Sequence, residues 1–154
     1  MGKKIGLTYD LKSDWQASCD DPVDAAAELD SSRTVECLKK AFESAGHTVK
    51  LIGGAKHLLK MLPDPGVDIV FNIAEGHRGR NREAQVPLIL ELFNIPFAGA
   101  DALTLGITLD KVAAKKCFIA DGIPTARYFK ATAQDDLGEL NTIGFPLFVK
   151  TLHE

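Results

Sequence analysis

The sequence predicts an α/β domain built on a parallel sheet, and two observations carry that prediction. Short apolar runs alternate with stretches of helical period as far as about residue 100. Within them VDIVFNI (Val67 to Ile73) is almost continuously apolar, as a strand covered on both faces requires. Right-handed crossovers between successive strands then give a parallel sheet with helices on both faces.

The elements follow in order. KKIGLTY (Lys3 to Tyr9) is the first strand, and residues 10–31 are a long polar segment. SSRTVECLKKAFESAG is a helix: Ser31 or Ser32 caps its start, Val35, Leu38, Phe42 and Ala45 recur at helical spacing, and Gly46 ends it. HTVKLIG is a second strand, AKHLLKML a short helix stopped by PDPG, and VDIVFNI the third strand. EAQVPLILELF is helical. Pro87 has no N–H and belongs in a first turn, so this helix starts near Ala84. IPFAG is the fourth strand.

A second section begins at Asp101. DALTLGI is a short helix that Asp101 caps. LDKVAAKKCFIADG is a longer one, with Thr108 as its cap and Gly122 as its stop. IPTARYFKA gives a turn and a strand, AQDDLGEL a helix, and FPLFVKT a strand. Two strands and a few helices over so short a stretch make a poor independent core. The expected domains are therefore residues 1–100 and an unfinished section over 101–154.

Bulk properties exclude several function classes. A net charge of −3 argues against a general nucleic-acid surface. Cys19, Cys37 and Cys117 make neither a CxxC pair nor an even disulfide set, which fits a reducing cytoplasm. No signal-peptide pattern opens the chain and no apolar run approaches membrane-spanning length, so no membrane partner is expected.

Charge is concentrated in FNIAEGHRGRNREAQVP (Phe71 to Pro87), directly after the third strand. Arg78, Arg80 and Arg82 alternate between Glu75 and Glu83. In open α/β sheets ligands bind outside the carboxyl ends of the strands. The two unusual loops, 10–31 and 74–82, both follow strands. The arginines can hold a carboxylate or phosphate by bidentate contacts, or pair with Glu75 and Glu83 to order the loop. The residues alone leave both readings open.

Residues 10–31 carry Asp10, Asp14, Asp20, Asp21, Asp24, Glu28 and Asp30 against Lys12 alone. That is either an acidic lid that attracts an ammonium group or a solvated loop. Trp15, the sole tryptophan, is either a lid anchor or packed on the domain surface. His47, His57, His77 and His153 show no metal-ligand spacing, and only His77 lies in a candidate site. Lys111 in a helix and Lys150 at a strand end can each aim a point charge at a phosphate, or simply be solvated. No Walker A, GxGxxG, GxSxG or Cys–His pattern is present.

Three stretches, read together and in order, carry a resemblance. They are NIAEGHRGRNREAQVPLILELFNIPFAGAD (Asn72 to Asp101), TLDKVAAKK (Thr108 to Lys116) and GFPLFVKTLHE (Gly144 to Glu154). They resemble the D-alanine–D-alanine ligase family of ATP-grasp enzymes: its Gly-rich acidic loop, Gln-containing helix and IPYTGS strand, then two segments whose lysines reach the nucleotide. The match covers residues 67–154 well and 1–66 only by architecture.

The resemblance implies a Rossmann-like pre-ATP-grasp domain over residues 1–100 and the first, incomplete part of an ATP-grasp central domain over 101–154. It implies that ATP phosphorylates the carboxylate of one amino acid, in the family D-alanine, and that the amine of a second attacks the acyl phosphate. It further implies a place in peptidoglycan synthesis for the cell wall and a homodimer formed through the N-terminal domain. ATP and Mg²⁺ are the implied cofactors, with the Mg²⁺ ligands expected beyond residue 154. Lys111 and Lys150 would touch ATP phosphates, while Glu75, His77, Arg78, Arg80 and Arg82 would line the substrate side.

This sequence departs from the family in three places. The family's GG-S-E--VS stretch is replaced by TYDLKSDWQASCDD (Thr8 to Asp21), leaving Glu28 or Asp30 to substitute for its catalytic-site Glu. The family's GEDG is replaced by GRNRE (Gly79 to Glu83), which points to a different and more acidic substrate. The chain stops at Glu154, where the family's loop over ATP begins. The expectation is an N-terminal fragment of a ligase, inactive alone. The alternatives are a stand-alone binding or dimerisation module and an ATP-grasp ligase for another carboxylate and amine.

Overall fold

Four parallel strands, β1 (Lys4–Thr8), β2 (Thr48–Leu51), β3 (Ile69–Asn72) and β4 (Phe97–Ala98), form one sheet in the order β2-β1-β3-β4. They are seen in a computed structural model that describes residues 2–132 and 137–153. β1 is central, pairing Ile5 with Val49 on one side and with Ile69 on the other.

Helices α1 (Ser32–Ser44), α2 (Ala55–Leu59) and α3 (Gln85–Leu92) connect successive strands. Ser31 caps α1, its Oγ accepting from Thr34 N at 3.1 Å. Pro87 falls in the first turn of α3, where its missing N–H costs nothing. Adjacent residues of β3 serve opposite faces of the sheet. Phe71 meets Phe42 of α1 edge-on at 5.1 Å. Val70 is fully buried in the core with Leu58 of α2 and with Val86 and Leu90 of α3. Gly6 in the middle of β1 is a spatial requirement: a Cβ there would lie 2.6 Å from Ile52 Cδ1 and 3.3 Å from Val70 Cγ2.

The chain divides into two units, residues 1–106 and 107–154. α4 (Ala102–Leu109) leads from one to the other, and Asp101 Oδ1 accepts from Thr104 N at 2.7 Å to cap it. α5 (Lys111–Ala120) is capped by Asp110 rather than Thr108. Thr108 is still inside α4, and Asp110 is where the backbone turns extended. Its Oδ1 accepts from Val112 N at 3.0 Å and Ala113 N at 2.9 Å.

The strands expected at 123–131 and 145–151 are irregular backbone, because neither finds a strand to pair with among the described residues. The first is tied to α5 instead, with Lys115 Nζ donating to Thr125 Oγ1 at 2.9 Å and Ala126 O at 2.7 Å. The first four residues of the expected helix AQDDLGEL lie outside the described residues, and Leu137–Thr142 forms a 3-10 helix. No helix among the described residues is long and apolar enough to cross a membrane.

Two neighbours on α3 test the core. Leu90 is 0% exposed and Leu88 is 59% exposed. Leu90→Ala should lower unfolding stability by ~2–5 kcal/mol. Leu88→Ala should change it by no more than about 0.5 kcal/mol. Urea midpoints at constant slope measure both.

Candidate functional site

The strand order fixes where a ligand can sit. β1 leads to β2 on one side, and β3 leads to β4 on the other, so the winding reverses between β1 and β3. Loops leaving adjacent strand ends at such a point diverge and open a crevice. Here those loops are residues 9–31 and 73–84.

Polar side chains at the strand ends join the two loops. Thr8, fully buried, donates from Oγ1 to Asn72 Oδ1 at 2.7 Å, and Ala74 N donates to the same oxygen at 3.2 Å. Asp10, also buried, lies two residues past β1. Its Oδ2 accepts from Gly76 N at 2.9 Å, and its Oδ1 is 3.0 Å from His77 Nε2. Its carbonyl accepts from Asp30 N at 2.8 Å, closing the polar loop at its base. Gly76 has φ +70°, and a Cβ there would collide with the Arg82 carbonyl, so the loop needs glycine at this position.

Trp15 lies across this junction. Its ring is 5.5 Å from that of His77, and the Arg78 guanidinium carbon is 5.4 Å from its centroid. Arg78 also pairs with Asp21 at 3.1 Å, and Gln85 Nε2 donates to the Arg78 carbonyl at 3.0 Å.

Arg82 is the charged centre of the junction, its side chain only 10% exposed. Its Nη2 pairs closely with Glu28 of the polar loop. Its Nη1 donates to the Glu75 carbonyl at 2.7 Å and lies 3.7 Å from Glu75 Oε2, while Glu83 Oε1 is 3.8 Å from Nη2. Three carboxylates thus share one guanidinium. Burial first, then the charge of Glu83, pushes the Glu75 carboxyl up to about 7; Arg82 opposes this, and Glu28 and Asp30 add to it. Burial and then Asp10 likewise raise the Asp30 carboxyl.

Carboxylate oxygens of Glu28, Glu75 and Glu83 lie within 4.8 Å of one another, close enough to share a cation. The guanidinium already supplies positive charge there, so these residues do not fit Mg²⁺.

In the second unit, Lys111 is the first residue of α5. Its backbone N donates to Leu152 O at 3.0 Å, which brings the segment carrying Lys150 beside that helix start. Lys150 is exposed.

No family model matches the sequence. Curated relatives do. The chain is 31% identical over 113 residues to the D-alanine–D-alanine ligase of Xylella fastidiosa, covering 71% of this chain and 37% of that protein. With the ligase of Pseudomonas entomophila the identity is 34% over 116 residues, covering 75% and 36%. With that of Gloeobacter violaceus it is 31% over 134 residues, covering 84% and 43%. The chain matches the N-terminal portion of the D-alanine–D-alanine ligase family. A solved D-alanine–D-alanine ligase from Bacillus anthracis shares the fold, with TM-score 0.61 at 24% identity over 99% of this chain and 47% of that one. The same enzyme complexed with ATP gives TM-score 0.62 at 23% identity over 99% and 48%. The chain spans about two fifths of the length of these curated family members.

Of the candidate residues, Glu28, Glu75 and Arg82 come together, and His77 and Arg78 meet at Trp15. Arg80 is exposed in the same loop. Arg82 takes the loop-ordering alternative for the arginines, pairing with Glu75 and Glu83. The residue that sequence reasoning passed over is Asp10, seen only as one of seven acids. The available signal was its place just past the first strand, at the switch point.

Removing the Arg82 charge should leave three carboxylates uncompensated. Arg82→Ala is expected to cost ~1–3 kcal/mol. The loss should be larger at pH 8 than at pH 6, where a Glu75 carboxyl held near 7 is mostly protonated and carries no charge. Urea unfolding at the two pH values checks both statements.

Proposed function

We propose that this chain is the substrate-side, N-terminal part of an ATP-dependent carboxylate–amine ligase. The observation that carries this reading is its identity to D-alanine–D-alanine ligases, at 31–34% across 71–84% of the chain. In the proposed reaction ATP phosphorylates the carboxylate of one amino acid. The amine of a second then attacks the acyl carbon, phosphate leaves, and an amide bond remains.

The role of the chain's own residues is placement and charge. Lys111 and Lys150 would face phosphate oxygens and neutralise charge that shifts as the phosphoryl group moves. The backbone hydrogen bond between Lys111 and Leu152 supports their acting together. Glu28, Glu75, His77, Arg78, Arg80 and Arg82 would line the amino-acid side at the ends of β1 and β3. Arg82 would act there by holding Glu28 and Glu75 in place, since its guanidinium is already shared among carboxylates. Arg78 and Arg80 would add positive charge toward a substrate more acidic than D-alanine.

ADP release by the protein isolated from its own cells tests the reading. ATP, Mg²⁺ and a panel of D-amino acids, acidic ones included, would be supplied. Lys111→Ala and Lys150→Ala should each lower kcat/KM for ATP by ~100-fold or more, with the far-ultraviolet dichroism unchanged. No ADP release with any carboxylate and amine would remove the ligase reading.

A further inference from the structure

The polar loop has little apolar material to hold it down. Among residues 11–31 only Leu29 is a buried hydrophobic. Its internal hydrogen bonds are mostly short-range turns, such as Asp21 N to Ser18 O, Ala25 N to Pro22 O and Ala27 N to Asp24 O. A segment with so little buried apolar area opens at low free-energy cost unless other contacts retain it.

Those other contacts are mainly polar and charged, and apart from Asp10 lying against Gly54 they go to one partner loop. Asp10 at the base holds Gly76 N and His77. Trp15 packs on His77 and Arg78, Asp21 pairs with Arg78, and Glu28 pairs with Arg82. We infer that residues 10–31 form a pH-responsive latch over the carboxyl ends of β1 and β3, closed by their charge contacts with residues 75–83.

The response comes from the crowding around Arg82. From its own loop Arg82 faces Glu75 and Glu83, and from the latch it faces Glu28. Asp30 of the latch also acts on Glu75. An ionised Glu75 competes with Glu28 for Arg82 and repels it. A protonated Glu75 leaves Arg82 to Glu28 and Glu83. Closed, Glu75 holds its proton up to about pH 7; a solvated Glu75 in the open loop returns toward the ordinary 4.5. The closed state therefore binds more protons between those values. Closure is favoured on the acid side, weakens as pH rises from about 4.5 to about 7, and levels off above that. Glu75 keeps 36% of its side chain exposed, so screening reduces the effect. A change of about tenfold in the closing equilibrium, one pKa unit's worth, is expected.

Trp15 is the only tryptophan and lies on the latch, so its emission reports closure directly. The experiment follows Trp15 emission from pH 5.5 to 8.5, with amide-exchange protection of Gly76 N and Asp30 N corrected for intrinsic rates. The expected result is one transition in both signals that is complete by about pH 7, protection falling about tenfold from its acid value and staying level above that. Glu75→Gln should abolish the transition and keep the latch closed throughout. His77 also faces Trp15, so the variant decides between the two groups. A transition that survives Glu75→Gln, or protection that does not change with pH, overturns the inference. If Glu75→Gln fails to fold, Glu28→Gln takes its place. It should lower Gly76 and Asp30 protection about tenfold at pH 6, and unchanged protection there overturns the latch. The inference rests on the proposed ligase function only for what the latch covers. Trp15 and the amides report opening whether or not any ADP is released, so the two can fail separately.

Discussion

The pairing of β1 with β3 is the constraint from which the rest follows. Ile5 beside Ile69 and Thr8 beside Asn72 place two strand ends next to each other while their connections leave in opposite directions. The crevice at that edge is a topological consequence rather than a feature of any one side chain. Buried polar groups at strand ends need partners, and Thr8 with Asn72 satisfies that need across the seam itself. Everything polar beyond this point is built on a backbone the sheet has already fixed.

Asp10 extends the same logic by two residues. A buried carboxylate is expensive unless hydrogen-bonded, and here it accepts from the Gly76 amide and contacts His77. Gly76 is held in a left-handed turn, so its amide can face Asp10 only if the 75–83 loop keeps its present shape. Arg82 fixes that shape by donating to the Glu75 carbonyl. The two loops therefore order each other. The polar segment supplies acids, the shorter loop supplies bases and a positive-φ glycine, and neither arrangement is satisfied without the other.

How much of this was legible in the sequence depends on the range of the interaction. Periodicity and local chemistry placed the strands and helices of the first unit, down to Pro87 in the first turn of its helix, because those signals lie within one turn or one pleat. Thr108 and Asp110 both carry an oxygen suitable for a helix cap. The choice depended on where the preceding helix ends, which local chemistry does not say. The apolar runs at 123–131 and 145–151 have strand composition, yet a strand also needs a partner, and composition cannot supply one. Asp10 was one acid among seven because its partner amide is 66 residues away. The three arginines looked equivalent at alternate positions. Only the fold separates Arg82, nearly buried among glutamates, from Arg78, which lies beside Trp15.

The glutamate–arginine cluster raises a physical question that stability alone does not answer. Removing the Arg82 guanidinium from water costs several kcal/mol, and the partly exposed carboxylates around it add smaller costs. Apolar side chains of similar size often hold two loops together as well or better. An apolar contact would stay closed at every pH and salt concentration. A charged one depends on protonation, and its exposed edges depend on ionic strength. With three acids around one base, the balance at this junction is not neutral, and its weakest member is Glu75, partly buried and beside another glutamate. Such an arrangement is poorly suited to permanent attachment. It suits two loops that meet over a crevice and must also be able to part.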